Sequence, residues 1–545
     1  METSVNDFSG NFDRRSLIKR GAAMAGAGLL GSMVYDASDH EGMASGNVFN
    51  VRNFGATGKR EDKSTVQVQE AVDACAKSGG GKVYVPPGDY TVGTIQLKDN
   101  VNLHLESGST FYLSQDRTDF VIQGANTMIF AEDAVNISLT GQGRLDGLAG
   151  YEFTEMRGVD PEIAEEIEIA RKAGIDMRRY YRTGMQTYMC ILNNCTNVHL
   201  SDISIINSPL WNVRLNDCDR VFIRGVYIYS DLEKGVNADG IDICSSRNVT
   251  VSDSVIITAD DSVVLKTPRR RGRETVNCVE NIVVTNCVFS SSSTALMIGT
   301  ETHADIRHVI FSNCVIRNSN KGFGINVQDG AIVSDIIFSN LTIETARRHW
   351  NWWGSAEMCK FVLSRRNESS RLGRIRDIVV DTVIARVRGT SLIKGPDIKM
   401  IENITMKNVQ IFMTHEDAVD KRATHALHLE NVNGLRIHDL SVRWDDDITE
   451  WGWQSALSMK NMSDFEIRSF SGRQGLKEGG YPAIALDNVT DGMISDSRAT
   501  DGCNEFIQLK GLNSNELILR NNNTRKAKTE IIFDDKRLVK AVNKV

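Results

Sequence analysis

Proline is scarce, with seven in 545 residues. A basic excess is missing too: 63 Lys and Arg stand against 70 Asp and Glu, for a net charge of -7 and a pI near 5.9. Nucleic-acid binding needs a basic face to neutralise phosphates, so no nucleic-acid partner is expected. A neutral polymer, or a polyanion met by a local basic patch, fits better. No C-x-x-C pair or His/Cys cluster has metal-ligand spacing, so neither a metal nor a cofactor is expected. The apolar run Gly21 to Val34 falls short of the about 20 residues that span a bilayer, which argues against a transmembrane segment. What is present, 41% hydrophobic and 24% charged residues, describes an ordinary globular chain with ample apolar surface for a long core.

The N-terminus reads as an address. Asp13-Arg14-Arg15-Ser16-Leu17-Ile18-Lys19 precedes that small-residue run, a pairing that resembles a twin-arginine export signal. Residues 1–46 are therefore expected to be the signal and its linker, and the mature protein to be a periplasmic or extracellular monomer. Ten cysteines in an exported chain invite disulfides. Yet Cys195, Cys218, Cys244, Cys287 and Cys314 recur in matching places of successive repeats, so reduced, buried thiols are the favoured reading and bridges the alternative.

Residues 47–129 are read as a small α/β cap with the first coils. Ser64 and Gln67 form a capping box before Val68, Ala71, Val72 and Cys75 at helical spacing, and Gly79-Gly80-Gly81 ends that helix. Val83-Tyr84-Val85-Pro86-Pro87-Gly88 follows as a strand and turn. A one-sided helix here would cover the open strand edges of a solenoid.

From about residue 130 to the end one phrase returns: a polar turn residue, then a β-branched alternating stretch. It appears at Asn136-Ile137, Asn197-Val198, Arg220-Val221, Asn248-Val249, Asn281-Ile282, His308-Val309, Asp335-Ile336, Asp377-Ile378 and Asn403-Ile404, with echoes at Leu435, Phe465, Met493 and Leu517. A spacing of roughly 22–33 residues marks stacked β units and is too short for propeller blades. Residues 130–545 thus read as an all-β, right-handed parallel β-helix, with catalytic coils near 237–330. Two large loops leave it, Tyr151 to Met185, where Asp160-Pro161 starts a charged helix, and Ala346 to Arg376.

Asn237-Ala238-Asp239-Gly240-Ile241-Asp242 is followed one short coil later by Ala259-Asp260-Asp261-Ser262. Asp239 and Asp260 are therefore expected at one angular position on neighbouring turns, about 4.7–4.9 Å apart in the strand-pairing direction. Crowded carboxylates repel, which keeps one protonated for acid catalysis. Glycosidic hydrolysis needs that pair: an acid for the leaving oxygen and a carboxylate for water or the anomeric carbon. The plainer alternative is turn aspartates that bind backbone amides.

The chain resembles glycoside hydrolase family 28, the polygalacturonases and their relatives, from about residue 48 to 345. Asn53-Phe54-Gly55-Ala56 with Asp62, Tyr84-Val85-Pro86-Pro87-Gly88, Asn207-Ser208-Pro209-Leu210-Trp211, Asn237 to Asp242, and Asp260-Asp261 carry the likeness, in family order. The resemblance implies an inverting hydrolase with Asp260 as general acid and Asp239 and Asp261 holding the attacking water. It also implies that Asn237, Asp242 and Lys266 line the site.

Two family motifs are absent. Thr294 stands where the family's Gly-His-Gly has histidine, and Gly324-Ile325-Asn326 replaces the Arg-Ile-Lys that grips a galacturonate carboxylate. Gly and Asn cannot hold a carboxylate as a bidentate Arg does, so no charge is expected at Asn326 and sugar specificity is expected to differ. Candidate replacement cations are Arg269, Arg270, Arg271 and Arg273 after the Asp pair, and Arg347-Arg348; a solvated basic loop is the alternative. Trp350, Trp352 and Trp353 either offer faces to sugar rings or anchor their loop. Glu357 is a weaker candidate. Competing functions are a calcium-dependent β-helix lyase or epimerase and a non-catalytic carbohydrate-binding β-helix. The leading expectation is hydrolysis of a pectin-type or related plant or algal polysaccharide or oligosaccharide.

Overall fold

The computed structural model describes residues 47–545 except 121, 123–125, 150–152, 155–167, 169–170, 173, 175–180, 183–185, 233–234, 271, 349–353, 419 and 449. Residues 47–545 form one compact unit. All but two of its described strands wind into a right-handed parallel β-helix, pairing in parallel with corresponding strands one coil away. One face runs through Tyr188–Asn193, Val213–Asn216, Ile241–Cys244, Val263–Thr267, Thr294–Thr302, Lys321–Val327 and Glu357–Leu363, and on through Ser391–Lys394 and Leu427–Glu430. Alternation decides what each strand contributes. Ile241, Ile243, Val263, Leu265, Leu296, Ile298, Phe323 and Ile325 join the core. Asp242, Val264, Lys266, Met297, Gly324 and Asn326, next to them in the sequence, belong to the opposite, outward side.

The repeated phrase has a conformational cause. Asn136, Asn197, Arg220, Asn248, Asn281, His308, Asp335, Asp377 and Asn403 all adopt left-handed backbone, with φ between 55° and 61°. Each lies within the first four residues of a second-face strand. Asn and Asp tolerate this region best among side-chain-bearing residues. The amides also bond from coil to coil: Asn136 Nδ2 donates to Asn100 Oδ1 at 2.8 Å, Asn197 Nδ2 to Asn136 Oδ1 at 2.8 Å, and Asn281 Nδ2 to Asn248 Oδ1 at 3.0 Å. The echo at Met493 is displaced by one. Gly492, not Met493, pairs with Phe465, and only glycine fits there, because a Cβ would sit 2.1 Å from the Phe465 ring.

The N-terminal helix spans Thr65–Lys77 and buries Val68, Ala71, Val72 and Cys75 over the first coil. The expected capping box does not form: Ser64 makes no side-chain cap bond. Its backbone N–H, the donor that Gln67 would have bonded, already donates to the Thr91 carbonyl at 2.8 Å. All ten cysteines are free thiols. Cys195 and Cys218 hold successive places just before paired strands, where the next coil has Ser246, and Cys287 and Cys314 form a separate pair after Ser254. Cys244 belongs to neither ladder, since it is paired with Asn216 and Lys266.

The stretch 346–376 is not one loop. Glu357–Leu363 within it is a full rung paired to Lys321–Val327. Of 151–185, an antiparallel pair of Phe153–Thr154 with Tyr181–Arg182 is described; the helix expected from Asp160-Pro161 lies largely outside the described residues.

Candidate active site

The hydrophobic register places the acids. Ile241 pairs with Val263 and Val263 with Leu296, so two residues earlier Asp239 stacks on Asp261 and Asp261 on Thr294. Backbone bonds continue that alignment: Asn212 N–H donates to Asp239 O at 2.9 Å, Gly240 N–H to Asp261 O at 2.8 Å and Ser262 N–H to Thr294 O at 3.0 Å. This corrects the expected stacking of Asp239 on Asp260. Asp260 precedes the rung by one residue and reaches the cluster from the turn. Hydroxyls pin that turn, with Thr258 Oγ1 and Ser291 Oγ each donating to the Asp260 carbonyl at 2.8 Å. Gly240 is required where it is, because a Cβ would stand 2.3 Å from the Ser262 carbonyl oxygen.

Asp239, Asp260 and Asp261 are all buried, and one carboxylate oxygen from each lies within 4.8 Å of the others. Lys266 Nζ donates to Asp242 at 2.7 Å and to Asp239 at 3.2 Å, and stands 3.9 Å from the centre of the Trp211 ring, a cation–π contact. Asp260 Oδ1 accepts the Asp261 N–H at 2.8 Å, and Asn237 Nδ2 reaches Asp260 Oδ2 at 3.4 Å. Ser293 Oγ and the Thr294 N–H orient Asp261 by donating to its Oδ1 at 2.8 and 3.1 Å.

Burial, with the neighbouring Asp261 charge, pushes the Asp260 carboxyl well above the usual range. Burial, with the charges of Asp260 and Asp242, does the same to Asp239. Both are raised, but their contacts differ: Lys266 bonds to Asp239 and makes no hydrogen bond to Asp260, which favours the charge on Asp239 and the proton on Asp260. Burial raises Asp242 to about 6 against the pull of Lys266. Burial works against the charge of Lys266, but Asp242 and Asp239 override it and lift its pKa well above the ordinary value. The arrangement supplies a proton donor beside two carboxylates that can hold a water. Three such oxygens are also a donor set for a divalent cation, but the Lys266 ammonium already provides a positive charge at that edge.

Arg269 is exposed and no contact joins it to the carboxylates. Arg270 and Arg273 turn to Asp217, at 2.6 and 3.9 Å. Arg347 is buried against Glu416 at 3.2 Å and Asp420 at 2.9 Å. None of these four stands in for the missing clamp. Arg271, Trp350, Trp352 and Trp353 lie outside the described residues. Asn326 is two strands beyond Lys266 on the same face, with its buried amide oxygen unbonded within the chain. Glu357 is buried in a strand, where it accepts the Ser355 N–H.

One cation escaped sequence reasoning. Lys321 follows Thr294 in the rung order Asp261, Thr294, Lys321, Glu357. It is buried, and its Nζ donates to Thr294 Oγ1 at 3.2 Å. A Cβ on Gly324 would meet Lys321 Cδ at 3.3 Å and Met297 Sδ at 3.1 Å, so the Lys321 stem fills the place where a side chain at 324 would project. A charge therefore does remain beside the vacated clamp. The only sequence signal was a lysine at a strand start aligned with Thr294. Trp211, Tyr188 and Arg214 were missed as site residues too: Arg214 lies 4.9 Å from the Trp211 ring centre and bonds the Tyr188 hydroxyl at 3.3 Å.

Among solved structures, the chain is similar to the hyperthermoactive exopolygalacturonase of Thermotoga maritima, at 23% identity and TM-score 0.54 over 67% of this chain and 87% of that one. It is similar also to the family 28 exopolygalacturonase of Yersinia enterocolitica, at 17% identity and TM-score 0.58 over 78% and 79%. These likenesses concern the fold. A probable polygalacturonase of Vitis vinifera is 24% identical over 233 residues, 39% of this chain and 43% of that protein. The chain spans about half the length of the curated relatives it matches. The model of glycosyl hydrolases family 28 matches residues 75–349, half of the chain and every rung that carries the aspartates. With helix, rungs and acids in that order, the chain belongs to glycoside hydrolase family 28.

Proposed function

We propose that this protein is an exported glycosidase of the polygalacturonase type, cleaving a pectin-type or related plant or algal glycan with a sugar preference of its own. The observation that carries the reading is the aspartate cluster: one carboxyl oxygen each from Asp239, Asp260 and Asp261 within 4.8 Å of one another, all buried. Asp260 protonates the leaving glycosidic oxygen. Asp239 and Asp261 hold a water, take its proton as it attacks the anomeric carbon, and the configuration inverts. Lys266 keeps Asp239 charged for this task, and Asn237 orients Asp260.

The departed clamp shapes the preference. Lys321 offers a point charge on a flexible stem in place of a planar fork, which suits a carboxylate held less strictly. Export rests on Arg14-Arg15 and the run after them; among the described residues no helix is long and apolar enough to cross a membrane.

Asp260→Asn should abolish sugar release from whichever member of a panel of polygalacturonate, rhamnogalacturonan and algal polysaccharides the native protein cleaves. Proton magnetic resonance of the first product should show the inverted anomer. Undiminished release by the variant would overturn the assignment. An unsaturated, ultraviolet-absorbing product that disappears with a chelator would replace it with the lyase reading.

A further inference from the structure

The face that carries Asp242 and Lys266 does not end with the coils that family 28 shares. In register, Asp242 leads to Val264, Met297, Gly324, Lys360, Leu392 and His428, and from there to Ser458, Ala485 and Gln508. On these last coils the face hollows into a cleft of about 200 Å³ lined by His425, His428, Gln454, Tyr481, Gln508 and Lys510. All six lie beyond residue 349, where the family match stops. Five strand steps separate Val264 from His428, roughly 24 Å at the usual spacing between paired strands.

The lining is chemically particular. The His425 and His428 rings stack with centroids 5.5 Å apart and planes 20° apart. His425 Nδ1 accepts the Ser455 N–H at 3.3 Å, so the neutral ring carries its proton on Nε2 and is a donor there. His428 Nδ1 lies 3.0 Å from Ser458 Oγ. Burial holds the His425 pKa down at about 4 and lowers that of His428, so both are uncharged near neutrality. Flat rings, two primary amides and the Tyr481 ring form a surface for sugar hydroxyls and ring faces. Lys510 at the rim adds an exposed ammonium across the strand pair from Asp487, which also lines the cleft, and that ammonium is a partner for a uronate carboxylate.

We propose that this cleft is a distal glycan subsite, holding the far end of the same uronate-bearing strand whose cleavable bond lies at the aspartate rungs. The inference rests on the hydrolase reading for the near end of that strand. The occupant follows from position: the cleft continues the outward face of the active site, coil upon coil, so an extended polymer laid along that face reaches it. A short fragment bound at the aspartates does not.

The test uses the full chain with Asp260→Asn, which binds without turnover, against the same protein carrying His428→Ala, Tyr481→Ala and Lys510→Ala as well. Calorimetry would measure binding of polygalacturonate, rhamnogalacturonan and a trisaccharide of each. At least tenfold weaker binding of a polymer by the combined variant, with trisaccharide binding unchanged, supports the subsite. Equal polymer affinity in the two proteins overturns it, provided circular dichroism shows both folded. Failure of the parent to bind either polymer overturns it too. If the native protein cleaves nothing while polymer binding still depends on the three residues, the subsite stands and the hydrolase reading falls.

Discussion

At the scale of single residues, the site is a problem in charge allocation. Asp239, Asp242, Asp260 and Asp261 crowd around Lys266, so the folded protein retains protons that the unfolded chain releases. Asp242 shows the sign: its pKa rises from 3.8 to about 6. A carboxyl raised on folding adds stability that is fully present below about pH 4 and is lost as pH rises through about 6. Between pH 4 and pH 7 the urea midpoint of the native protein should therefore fall more than that of Asp242→Asn. The histidines contribute equally to both proteins and cancel in this comparison. Parallel curves would show that Asp242 holds no proton. Lys321 gives a second expectation. A hydrogen bond to a charged group contributes about 1.5–3 kcal/mol, so Lys321→Gln should cost roughly 10- to 100-fold in kcat/KM on an acidic glycan. A neutral glycan should lose little, and equal losses on both would remove Lys321 from carboxylate recognition. The aspartates were legible because three acids recur at coil spacing. Lys321 was not, because its meaning depends on Gly324 leaving room for its stem and on Thr294 one coil away.

At the scale of elements, the recurring Asn, Asp and His were readable for a local reason: few residues accept left-handed backbone, so the turn writes itself into the sequence at each coil. Asn281 is a fair test, with φ 61° and a 3.0 Å amide bond to Asn248. Asn281→Val, which loses the bond and strains the backbone, should destabilise by about 2–3 kcal/mol in urea unfolding, whereas Asn281→Gly, which suits the backbone but loses the bond, should cost about 1 kcal/mol. A valine variant as stable as the glycine variant would mean the bond, not the backbone, sets the choice. Signals that need a tertiary partner misled. Ser64 and Gln67 have the letters of a capping box, yet the Ser64 N–H is committed to Thr91. Arg347 looked like a free cation for substrate, and is bound to Glu416 and Asp420 about 70 positions further along. The strand Glu357–Leu363 was hidden in a supposed loop because the left-handed residue before its short run, Met358-Cys359-Lys360-Phe361, is Ala356 and not an Asn or Asp.

At the scale of the whole molecule, the fold was the most legible part, since a solenoid states its plan once per coil and each unit touches only its neighbours. That one-dimensional order has a consequence for size selection. Each coil inserted or removed between Lys360–Val362 and Leu427–Glu430 would move the C-terminal cleft by one strand spacing, about 4.8 Å, without altering the chemistry at either end. Coil number would then act as a gauge for the shortest glycan that both ends can grip at once. A variant lacking one such coil, if it folds, should reach full affinity with a correspondingly shorter oligosaccharide in a length series. An unchanged length threshold would show that the two ends work separately.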